Sequence, residues 1–359
     1  MSPAVDPAGA GAPPLVVRFG AFGDMIMLVP LLRALAARYG RPADVISSAP
    51  WTKPLLQSQD QPGSIRLLTS RRTPLWLNLS QWRLLLWLRT RPAGPVYVCE
   101  HDPKTYRLLR LGGVSDEWIC PLPAIPRRPE EHVVEHYLRF AHLTPAALGG
   151  QPLESWVGPL PDHRLVPSAA ARAECEIWLA GQGLGQAAFP LVLIQPGNKK
   201  TMRRGDPQRA SNIKYWSPEN WAAVIRGVCA TLPEARVLVC GTAEEHALVG
   251  SIVGTCAEAR VLNVAGQLPI PRLLALLARA HSMISVDTGP SHAATAVGCP
   301  VVVLILDDML VQCGPRSTTA PTATVVAPSL AGRGSYPLAG LIPAAVLEAW
   351  RSLPEVFPV

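Results

Sequence analysis

Cysteine spacing excludes the usual metal and redox motifs. The eight cysteines stand at positions 99, 120, 175, 229, 240, 256, 299 and 313, and the closest pair is eleven residues apart, so the chain has no CxxC pair. A cytosolic chain would keep such thiols reduced. The sequence therefore implies no metal site, and Cys229, Cys240 and Cys299, which lie in apolar runs, are predicted to be small core residues.

Charged residues are few, at 16% of the 359 residues against 48% hydrophobic ones. This balance argues against wholesale disorder and supplies enough apolar side chains for two domains of ordinary size. Only five of the 33 basic residues are lysines, and with 38 prolines the formal net charge of +7 reflects composition as much as a polyanionic partner. No motif of nucleic-acid recognition appears, and we expect no nucleic acid as a partner.

A long lipid-facing hydrophobic run is missing as well. The longest uncharged apolar stretch, residues 288–306, contains glycines, prolines, a serine and a histidine, which a membrane-spanning helix disfavours. The first basic residue is Arg18, so the beginning of the sequence does not resemble a secretory signal. We therefore expect a cytoplasmic protein.

Strand and helix patterns alternate along the chain, in two series. In the first series, strands are predicted at 15–19, 45–46 and 96–99, and helices at 25–39, 76–88 and 103–111. A proline-rich stretch at 121–167 interrupts the pattern, with one helical segment at 133–143. In the second series, strands are predicted at 191–194, 237–240, 261–263, 283–286 and 301–306, and helices at 169–179, 218–231, 243–253, 270–280, 291–297 and 343–353.

Such alternation is typical of parallel sheets covered by helices on both faces. The sequence therefore predicts two Rossmann-like α/β domains that face each other across a cleft. A flexible tail is expected over 1–14, an N-terminal α/β domain over 15–167 and a C-terminal α/β domain over 168–335. The last segment, 336–359, is expected to form a helix and tail that pack back on the N-terminal domain.

The polar segment after the strand at 283–286 has the features of an anion site. It contains Asp287, Thr288, Gly289, Pro290 and His292. Proline suits a helix start, where its missing N–H would have no intrahelical partner. The free N–H groups of a helix that follows a parallel strand bind anions, and Gly289 lets a ligand approach the backbone. The alternative is an ordinary strand–helix turn in which Asp287 caps the helix and His292 is packed.

The same segment resembles the nucleotide-sugar motif of glycosyltransferase family 9, the bacterial heptosyltransferases of the lipopolysaccharide inner core. The sequence from Asp287 to His292, continued by AATAVGCP to Pro300, carries this resemblance. Three further motifs agree in order: Gly23-Asp24 before a helix, Pro196-Gly197 followed by Lys214-Tyr-Trp216, and Gly241-Thr-Ala-Glu244. The resemblance covers residues 190–306 well and the first domain mainly at its beginning.

The resemblance implies a GT-B fold and an inverting, metal-independent transfer of a heptose, or a related sugar, from ADP-heptose to a lipopolysaccharide-core acceptor. It makes the N-terminal domain the acceptor-binding domain and the C-terminal domain the nucleotide-sugar-binding domain. No cofactor is expected, because the nucleotide sugar is a substrate. The partners implied are this donor and a lipid-linked glycan acceptor.

The resemblance implies catalytic and donor-binding roles for the residues that stand at matching positions of the family's motifs. Asp24 becomes the candidate catalytic base, and a carboxylate beside a helix start is kept ionised by the helix dipole; the alternative role is a helix cap. The residues implied to contact the donor are Lys214, Glu244, Asp287, Thr288, Gly289 and His292. Lys214 would supply a point charge for the diphosphate, with an ordinary surface lysine as the alternative, and Glu245 competes with Glu244 for the ribose hydroxyls.

Two features depart from the family pattern. Gln195 stands where the family commonly has a histidine, and its amide cannot carry a positive charge. The segment 198–213 is long and basic, with Lys199, Lys200, Arg203 and Arg204. We interpret these four residues as a candidate lid over the diphosphate; a different donor and a solvated loop are the alternatives.

Acceptor contacts are less well defined. Lys53, Arg71 and Arg72 are candidates for an acidic sugar or phosphate, because arginine matches the geometry of such groups. The helix predicted near 76–88 carries tryptophans among arginines, a composition that suits the surface of an anionic membrane and hence peripheral contact with the inner membrane. The favoured interpretation of this helix is a sheet-covering one. His132 and His136, at i and i+4, are interpreted as helix-surface residues rather than metal ligands.

Two other function classes fit the same architecture. A nucleotide-sugar epimerase would need acid and base residues on both sides of the sugar, and Asp24 is the single candidate from the N-terminal side. A nucleotide-sugar-binding protein without turnover would bind the donor regardless of Asp24.

Overall fold

The chain divides into two compact units, Met1–His163 and Arg164–Val359. The computed structural model describes residues 12–57, 59, 62–69, 78–153, 162–185, 189–198, 200–203, 206–207, 212–317, 321–328 and 337–353. Most of the predicted tail, 1–14, lies outside these residues. No helix in the described ranges is long and apolar enough to cross a bilayer.

The first unit contains a five-stranded sheet in which all neighbouring strands are parallel. Its strands are β1 (Leu15–Val17), β2 (Asp44–Ser47), β3 (Ile65–Leu67), β4 (Val96–Val98) and β5 (Ile119–Pro121), in the order β3-β2-β1-β4-β5. The three predicted strands form the centre of the sheet. The two edge strands were not predicted, because they are mostly only partly buried and show no continuous apolar run.

In the described residues of this unit, six α-helices accompany the sheet: α1 (Phe22–Met27), α2 (Val29–Tyr39), α3 (Thr52–Leu56), α4 (Leu79–Thr90), α5 (Pro103–Leu111) and α6 (Val133–Phe140). The single helix predicted over 25–39 is wrong: the structure has two helices that meet at Leu28. Pro30 explains the interruption, because it has no N–H to donate to the carbonyl four residues earlier. Proline is tolerated in the first turn of α2, where that N–H would have no partner.

Helix α4 begins three residues later than predicted, at Leu79. The side chain of Asn78 sets this start by accepting hydrogen bonds from the backbone N–H groups of Ser80 and Gln81, at 3.0 and 3.2 Å. Asparagine is a preferred helix cap for this reason. Leu84 and Leu88 of α4 pack into the same core as β1, β2 and β4, which confirms the sheet-covering interpretation.

His132 and His136 are buried, so their interpretation as surface residues is wrong. His132 precedes α6 and accepts a hydrogen bond from the Val134 N–H through its ring nitrogen, at 3.2 Å. His136 Nε2 lies 2.8 Å from the carbonyl oxygen of Ile125. Both rings therefore satisfy local backbone groups. Within the described residues, no group of three or more His, Cys, Asp or Glu could hold a metal ion.

The second unit contains a six-stranded parallel sheet and a small antiparallel pair. Its strands are β6 (Leu191–Gln195), β7 (Met202–Arg203), β8 (Asp206–Pro207), β9 (Arg236–Val239), β10 (Val261–Asn263), β11 (Ser282–Val286), β12 (Val301–Leu306) and β13 (Thr322–Ala327). The order of the large sheet is β10-β9-β6-β11-β12-β13, and β7 pairs with β8. The predicted strands are confirmed, and β13 is an additional edge strand.

The part of this unit that the structure describes has seven α-helices: α7 (Ala169–Gly181), α8 (Pro218–Thr231), α9 (His246–Cys256), α10 (Ile270–Arg279), α11 (Gly289–Val297), α12 (Asp307–Cys313) and α13 (Pro343–Arg351). Cys229, Cys240 and Cys299 are buried as predicted. The predicted fold class, two parallel-sheet α/β domains, is confirmed.

The last helix contributes its apolar side to the second unit. Val346 and Trp350 of α13 are part of the core formed by β6, β9, β12 and α8, and the Trp350 indole donates a hydrogen bond of 2.8 Å to Ser282 Oγ. Packing on the first domain was expected for this segment. The apolar side of α13 contacts α8, β12 and β13 of the second unit, and packing of the segment on the first domain stays a prediction.

Each sheet changes winding direction at its first strand. From β1 the chain proceeds to β2 and β3 on one side and then crosses to β4 on the other; from β6 it proceeds to β9 and β10 and then crosses to β11. The loops after β1 and β4, and those after β6 and β11, therefore diverge and leave a crevice at the carboxyl ends of the strands. These two crevices hold the residues considered next.

Candidate functional site

Lys214 and Asp287 form an ion pair at the crevice of the second sheet. The Lys214 ammonium donates to Asp287 Oδ2 at 2.5 Å and to the backbone carbonyl of Asp287 at 2.8 Å. An ammonium has three N–H donors, so these two contacts leave a third for another acceptor. The Lys214 side chain keeps 21% of its surface exposed, whereas that of Asp287 keeps 5%.

The Asp287 carboxylate is held in its charged form by two neighbours. Burial by itself raises the pKa of Asp287, but the hydrogen bond with His292 and the charge of Lys214 outweigh it, so the pKa lies below its ordinary value. His292 Nε2 lies 3.6 Å from Asp287 Oδ1. His292 is itself buried, as the packed alternative expected. Asp287 therefore orients Lys214 and His292, while Lys214 is the group that stays accessible.

Helix α11 begins directly beside this pair. The Thr288 N–H donates to Ser291 Oγ at 3.2 Å, and Pro290 lies in the first turn, where its missing N–H costs no intrahelical bond. Thr288 and Gly289 are half-exposed. The Thr288 N–H is used within the turn and Pro290 has none, so Gly289 is the residue whose N–H is the candidate donor to a ligand. The helix ends at Gly298, whose φ of 86° suits a residue without a side chain. The positive end of the helix dipole thus lies next to the Lys214 charge, which favours an anion.

A chain of hydrogen bonds fixes the position of Lys214. The Lys214 N–H donates to Asn212 Oδ1 at 3.2 Å, and the Asn198 side-chain amide donates to the same oxygen at 3.1 Å. The Asn198 N–H in turn donates to the Thr201 hydroxyl oxygen at 2.7 Å, and Thr201 is hydrogen-bonded to the Glu245 carboxylate. Sequence reasoning missed Asn198, Asn212 and Thr201. Their signal was weak, because polar residues are ordinary in a loop.

The structure separates the two adjacent candidates for ribose contact. Glu244 is exposed, whereas Glu245 is buried and accepts a hydrogen bond of 2.8 Å from the Thr242 N–H. Burial raises the pKa of Glu245, and hydrogen bonds from Thr242 and Thr201 offset part of this effect. Glu245 Oε1 is buried with no hydrogen-bond partner among the described residues. Glu245 is therefore the member of the pair that organises the crevice.

Gly197 accommodates this carboxylate. A Cβ added to Gly197 would lie 2.0 Å from Glu245 Oε1, so a larger residue would have to displace the buried carboxylate. The neighbouring Gln195 is buried, and its side-chain amide donates to the Gly197 carbonyl at 3.0 Å. The Gln195 donor is thus used to hold the turn after β6.

Little of the predicted lid lies within the described residues. Lys200 is exposed, and its N–H donates to Asn198 Oδ1 at 2.8 Å. Arg203 belongs to β7, which pairs with β8, and its side chain is not described. Lys199 and Arg204 lie outside the described residues. The lid stays a prediction.

Asp24 lies at the crevice of the first sheet, in α1 just beyond β1. Its Oδ2 accepts a hydrogen bond of 2.6 Å from the Ala21 N–H, and its Oδ1 lies 3.5 Å from Arg18 Nη2. The Asp24 side chain keeps 36% of its surface exposed. The helix-cap role is therefore real, but it occupies one carboxylate oxygen and leaves the group accessible to a substrate hydroxyl.

Glu100 and Arg18 complete this crevice. Glu100 follows β4, the strand next to β1, and its Oε1 accepts from the Phe19 N–H at 2.7 Å and lies 3.4 Å from Arg18 Nη1. Arg18 therefore lies between two carboxylates that follow adjacent strands. Sequence reasoning did not select either residue; the available signal was that charged residues directly follow two apolar strands.

Only one of the three candidate acceptor contacts lies within the described residues. Lys53 is exposed on α3, which follows β2; Arg71 and Arg72 lie outside the described residues. The same edge of the sheet carries an aromatic pair that the sequence did not suggest. Phe22 and Trp51 are half-exposed and meet edge to face, with ring centroids 5.6 Å apart.

Comparison with known proteins bears on both units. Residues 189–319 match the family model described as glycosyltransferase family 9 (heptosyltransferase). The chain is 29% identical over 176 residues to lipopolysaccharide heptosyltransferase 3 of Escherichia coli, an alignment covering 46% of this chain and 47% of that protein. The chain thus spans about half the length of this curated relative. The resemblance to family 9 inferred from the motifs is confirmed.

Two solved structures are similar over nearly their whole length. The E. coli ADP-heptose lipopolysaccharide heptosyltransferase II has a TM-score of 0.70 at 20% identity, covering 94% of this chain and 97% of its own. The E. coli heptosyltransferase WaaC with ADP has a TM-score of 0.67 at 16% identity, covering 94% and 98%. At these identities the likeness shows the fold, which is of GT-B type as predicted.

Proposed function

We propose that this chain, whose residues 189–319 match glycosyltransferase family 9, is an inverting, metal-independent glycosyltransferase. It moves a heptose, or a related sugar, from ADP-heptose to a lipopolysaccharide-core acceptor. The donor binds the second unit and the acceptor binds the first. Asp24 takes the proton from the acceptor hydroxyl that attacks the transferred sugar.

The observation that carries the proposal is the Lys214–Asp287 pair beside the start of α11. Departure of a nucleoside diphosphate develops negative charge on the leaving oxygen, and a cation and a helix start placed there stabilise that charge. Lys214 supplies the cation, and the start of α11 at Gly289 supplies the positive end of the helix dipole. Together they perform the task that a divalent ion performs in other transferases, which supports a metal-independent reaction.

Asp24 is suited to the complementary step in the first unit. An acceptor hydroxyl attacks the anomeric carbon more readily when a carboxylate removes its proton. The Asp24 oxygen facing Arg18 is 3.5 Å from the guanidinium, long enough to be exchanged for a substrate hydroxyl. Attack from the face opposite the departing diphosphate inverts the anomeric configuration. The proton passes to Asp24 while the sugar–oxygen bond to the diphosphate breaks.

The choice of ADP rests on the relatives. Two similar structures are described as an ADP-heptose heptosyltransferase and as a heptosyltransferase with ADP. In this chain the turn at Glu244 and Glu245 contacts the ribose. Lys214, Thr288, Gly289 and His292 contact the rest of the donor, and Asp287 orients Lys214 and His292. The acceptor is a lipid-linked glycan, with Lys53, Arg71 and Arg72 as candidate contacts. Peripheral contact with the cytoplasmic surface of the inner membrane follows from such an acceptor.

A transfer assay tests the proposal. The purified chain is incubated with truncated core glycolipids and either ADP-heptose or a uridine-linked sugar, with mass spectrometry as the readout. We expect the glycolipid to gain one heptose from ADP-heptose and no sugar from the uridine-linked donor. Transfer should persist in excess EDTA, and NMR should show that the anomeric configuration is inverted. ADP binding without product from any glycolipid would favour a nucleotide-sugar-binding protein and overturn the proposal. Conversion of the free donor to an isomer would favour an epimerase.

A further inference from the structure

The outer face of α4 carries an apolar stripe. Leu79, Trp82 and Leu86 keep 63%, 44% and 59% of their surfaces exposed. Their spacing of three and then four residues places them on one side of the helix. Single exposed apolar residues are ordinary on protein surfaces, but three in one row on one helix form a patch of the kind that marks an interaction site.

This stripe is not needed for packing of the first unit. The opposite side of α4 supplies the buried residues Gln81, Leu84, Leu85 and Leu88. Trp87 is half-buried at the margin, where the guanidinium groups of Arg66 and Arg91 lie 5.0 and 6.0 Å from its ring centroid. The predicted amphipathic helix therefore has a second apolar side, which faces outward.

Positive charge surrounds the stripe. With about 3.6 residues per turn, Arg83 and Arg89 fall on opposite flanks of the row, and both are exposed. Helix α4 contains no acidic residue. The neighbouring helix α5 contacts α4 and exposes Lys104, Arg107 and Arg110, of which Arg110 pairs with Asp116 at 2.8 Å.

We infer that the outer surface of α4 and α5 lies on an anionic lipid bilayer. Leu79, Trp82 and Leu86 enter the region between headgroups and acyl chains, where tryptophan is favoured. Arg83, Arg89, Lys104 and Arg107 meet the phosphates of the headgroups, and each adds to the attraction while remaining solvated. A protein partner would match the apolar row equally well; the arrangement of arginine on both flanks without acid favours the lipid surface.

The position of this surface fits the proposed transfer to a lipid-linked acceptor. The role given to the surface here rests on that proposed function. Helix α4 follows β3 and α5 follows β4, so both helices begin at the carboxyl edge of the first sheet. Asp24 and Glu100 lie at the same edge. A bilayer in contact with the beginnings of α4 and α5 would bring a lipid-linked acceptor to the edge of the unit that carries the candidate base.

Sedimentation with vesicles tests the inference on the full chain. The vesicles are phosphatidylcholine alone or mixed with phosphatidylglycerol. We expect binding to the anionic vesicles, weakened by salt, and a loss of about tenfold or more in the partition coefficient for the double variant Arg83→Glu/Arg89→Glu. The variant Leu79→Ser/Trp82→Ser/Leu86→Ser should lose binding to a similar degree. All of these side chains are exposed, so folding should be retained.

A matched control comes from α7 in the second unit. Ile177 is 74% exposed and Arg172 is exposed on the same helix, and Ile177→Ser/Arg172→Glu should bind vesicles as the parent chain does. Parent-like binding of both α4 variants would overturn the inference. A dimer that the apolar variant abolishes, without vesicle binding, would also overturn it and identify a second copy as the occupant.

The transfer assay separates this inference from the proposed function. With a water-soluble acceptor, the α4 variants should turn over at the parent rate, and with a vesicle-borne acceptor they should be slower. Transfer to the soluble acceptor without vesicle binding by the parent chain would overturn the inference alone. Vesicle binding without transfer to any acceptor would overturn the proposed function alone.

Discussion

The ammonium of Lys214 contacts both the side chain and the backbone of Asp287, at 2.5 and 2.8 Å. The lysine lies between β8 and α8, in the segment that connects β6 to α8, and the aspartate follows β11. The pair therefore links the segments that follow the two strands between which the second sheet changes direction. A ligand anion at this crevice would meet a cation already oriented by a buried carboxylate.

Replacing Lys214 should weaken donor binding. Lys214→Met keeps the apolar stem and removes the charge, and we expect the Kd for ADP to rise about ten- to a hundredfold, since a hydrogen bond to a charged group contributes about 1.5–3 kcal/mol. Calorimetric titration measures the change, with Lys104→Met on the first unit as control. An unchanged Kd would show that Lys214 serves only to neutralise Asp287.

Replacing Gly197 should destabilise the turn after β6, which borders the same crevice. Gly197→Ala would force a Cβ to within 2.0 Å of Glu245 Oε1, and we expect about 1–3 kcal/mol of lost stability from this overlap. Chemical denaturation measures the loss, and the double variant Gly197→Ala/Glu245→Ala should recover part of it. Failure of the second substitution to recover any stability would contradict the contact.

The buried Glu245 predicts a pH-dependent difference in stability. Because burial raises its folded-state pKa, the folded protein binds more protons than the unfolded chain above the ordinary glutamate pKa of about 4.3. The parent chain should therefore lose stability relative to Glu245→Gln as pH rises from about 4.3 through the folded-state pKa, and the difference should be constant above it. Denaturation midpoints across this pH range measure the effect.

The exposed neighbour gives the control for that experiment. Glu244→Gln makes the same chemical change at an exposed position and leaves the buried carboxyl in place. Parallel pH profiles for the parent chain and Glu245→Gln would contradict the assignment of Glu245 as the buried member of the pair.

The basic segment supplies a further prediction. If Arg203 and Arg204 form a lid over the diphosphate, Arg203→Ala/Arg204→Ala should raise the Kd for ADP and lower turnover. The substitutions add no bulk, so stability should be retained. Unchanged affinity and turnover would leave the segment as a solvated loop.

Strong local patterns were enough to predict the centre of each sheet and the start of α11. The apolar runs of β1, β6, β11 and β12 are buried on both faces, and such runs are visible in a sequence. Gly289, Pro290 and Gly298 bracket α11 because each suits a helix end. In contrast, β3 and β5 are short edge strands defined by pairing with a neighbour, which no local pattern reports.

The chemistry of the site was less predictable than its position. No local pattern decides which of Glu244 and Glu245 turns inward, because the answer depends on Gly197, which lies in the turn after β6. Similarly, the contact of Arg18 with Glu100 depends on β1 and β4 being adjacent, although the two residues are far apart in the chain. Pro30, by contrast, was a local signal for the break between α1 and α2.

The most direct test of the account is a transfer measurement with Asp24→Asn. The asparagine side-chain oxygen can still accept from the Ala21 N–H, so folding and ADP binding should match those of the parent chain, whereas transfer of heptose from ADP-heptose to a core glycolipid should fall about 10²–10⁴-fold. Transfer at the parent rate by Asp24→Asn would contradict the account, because the acceptor hydroxyl would then lose its proton without this carboxylate.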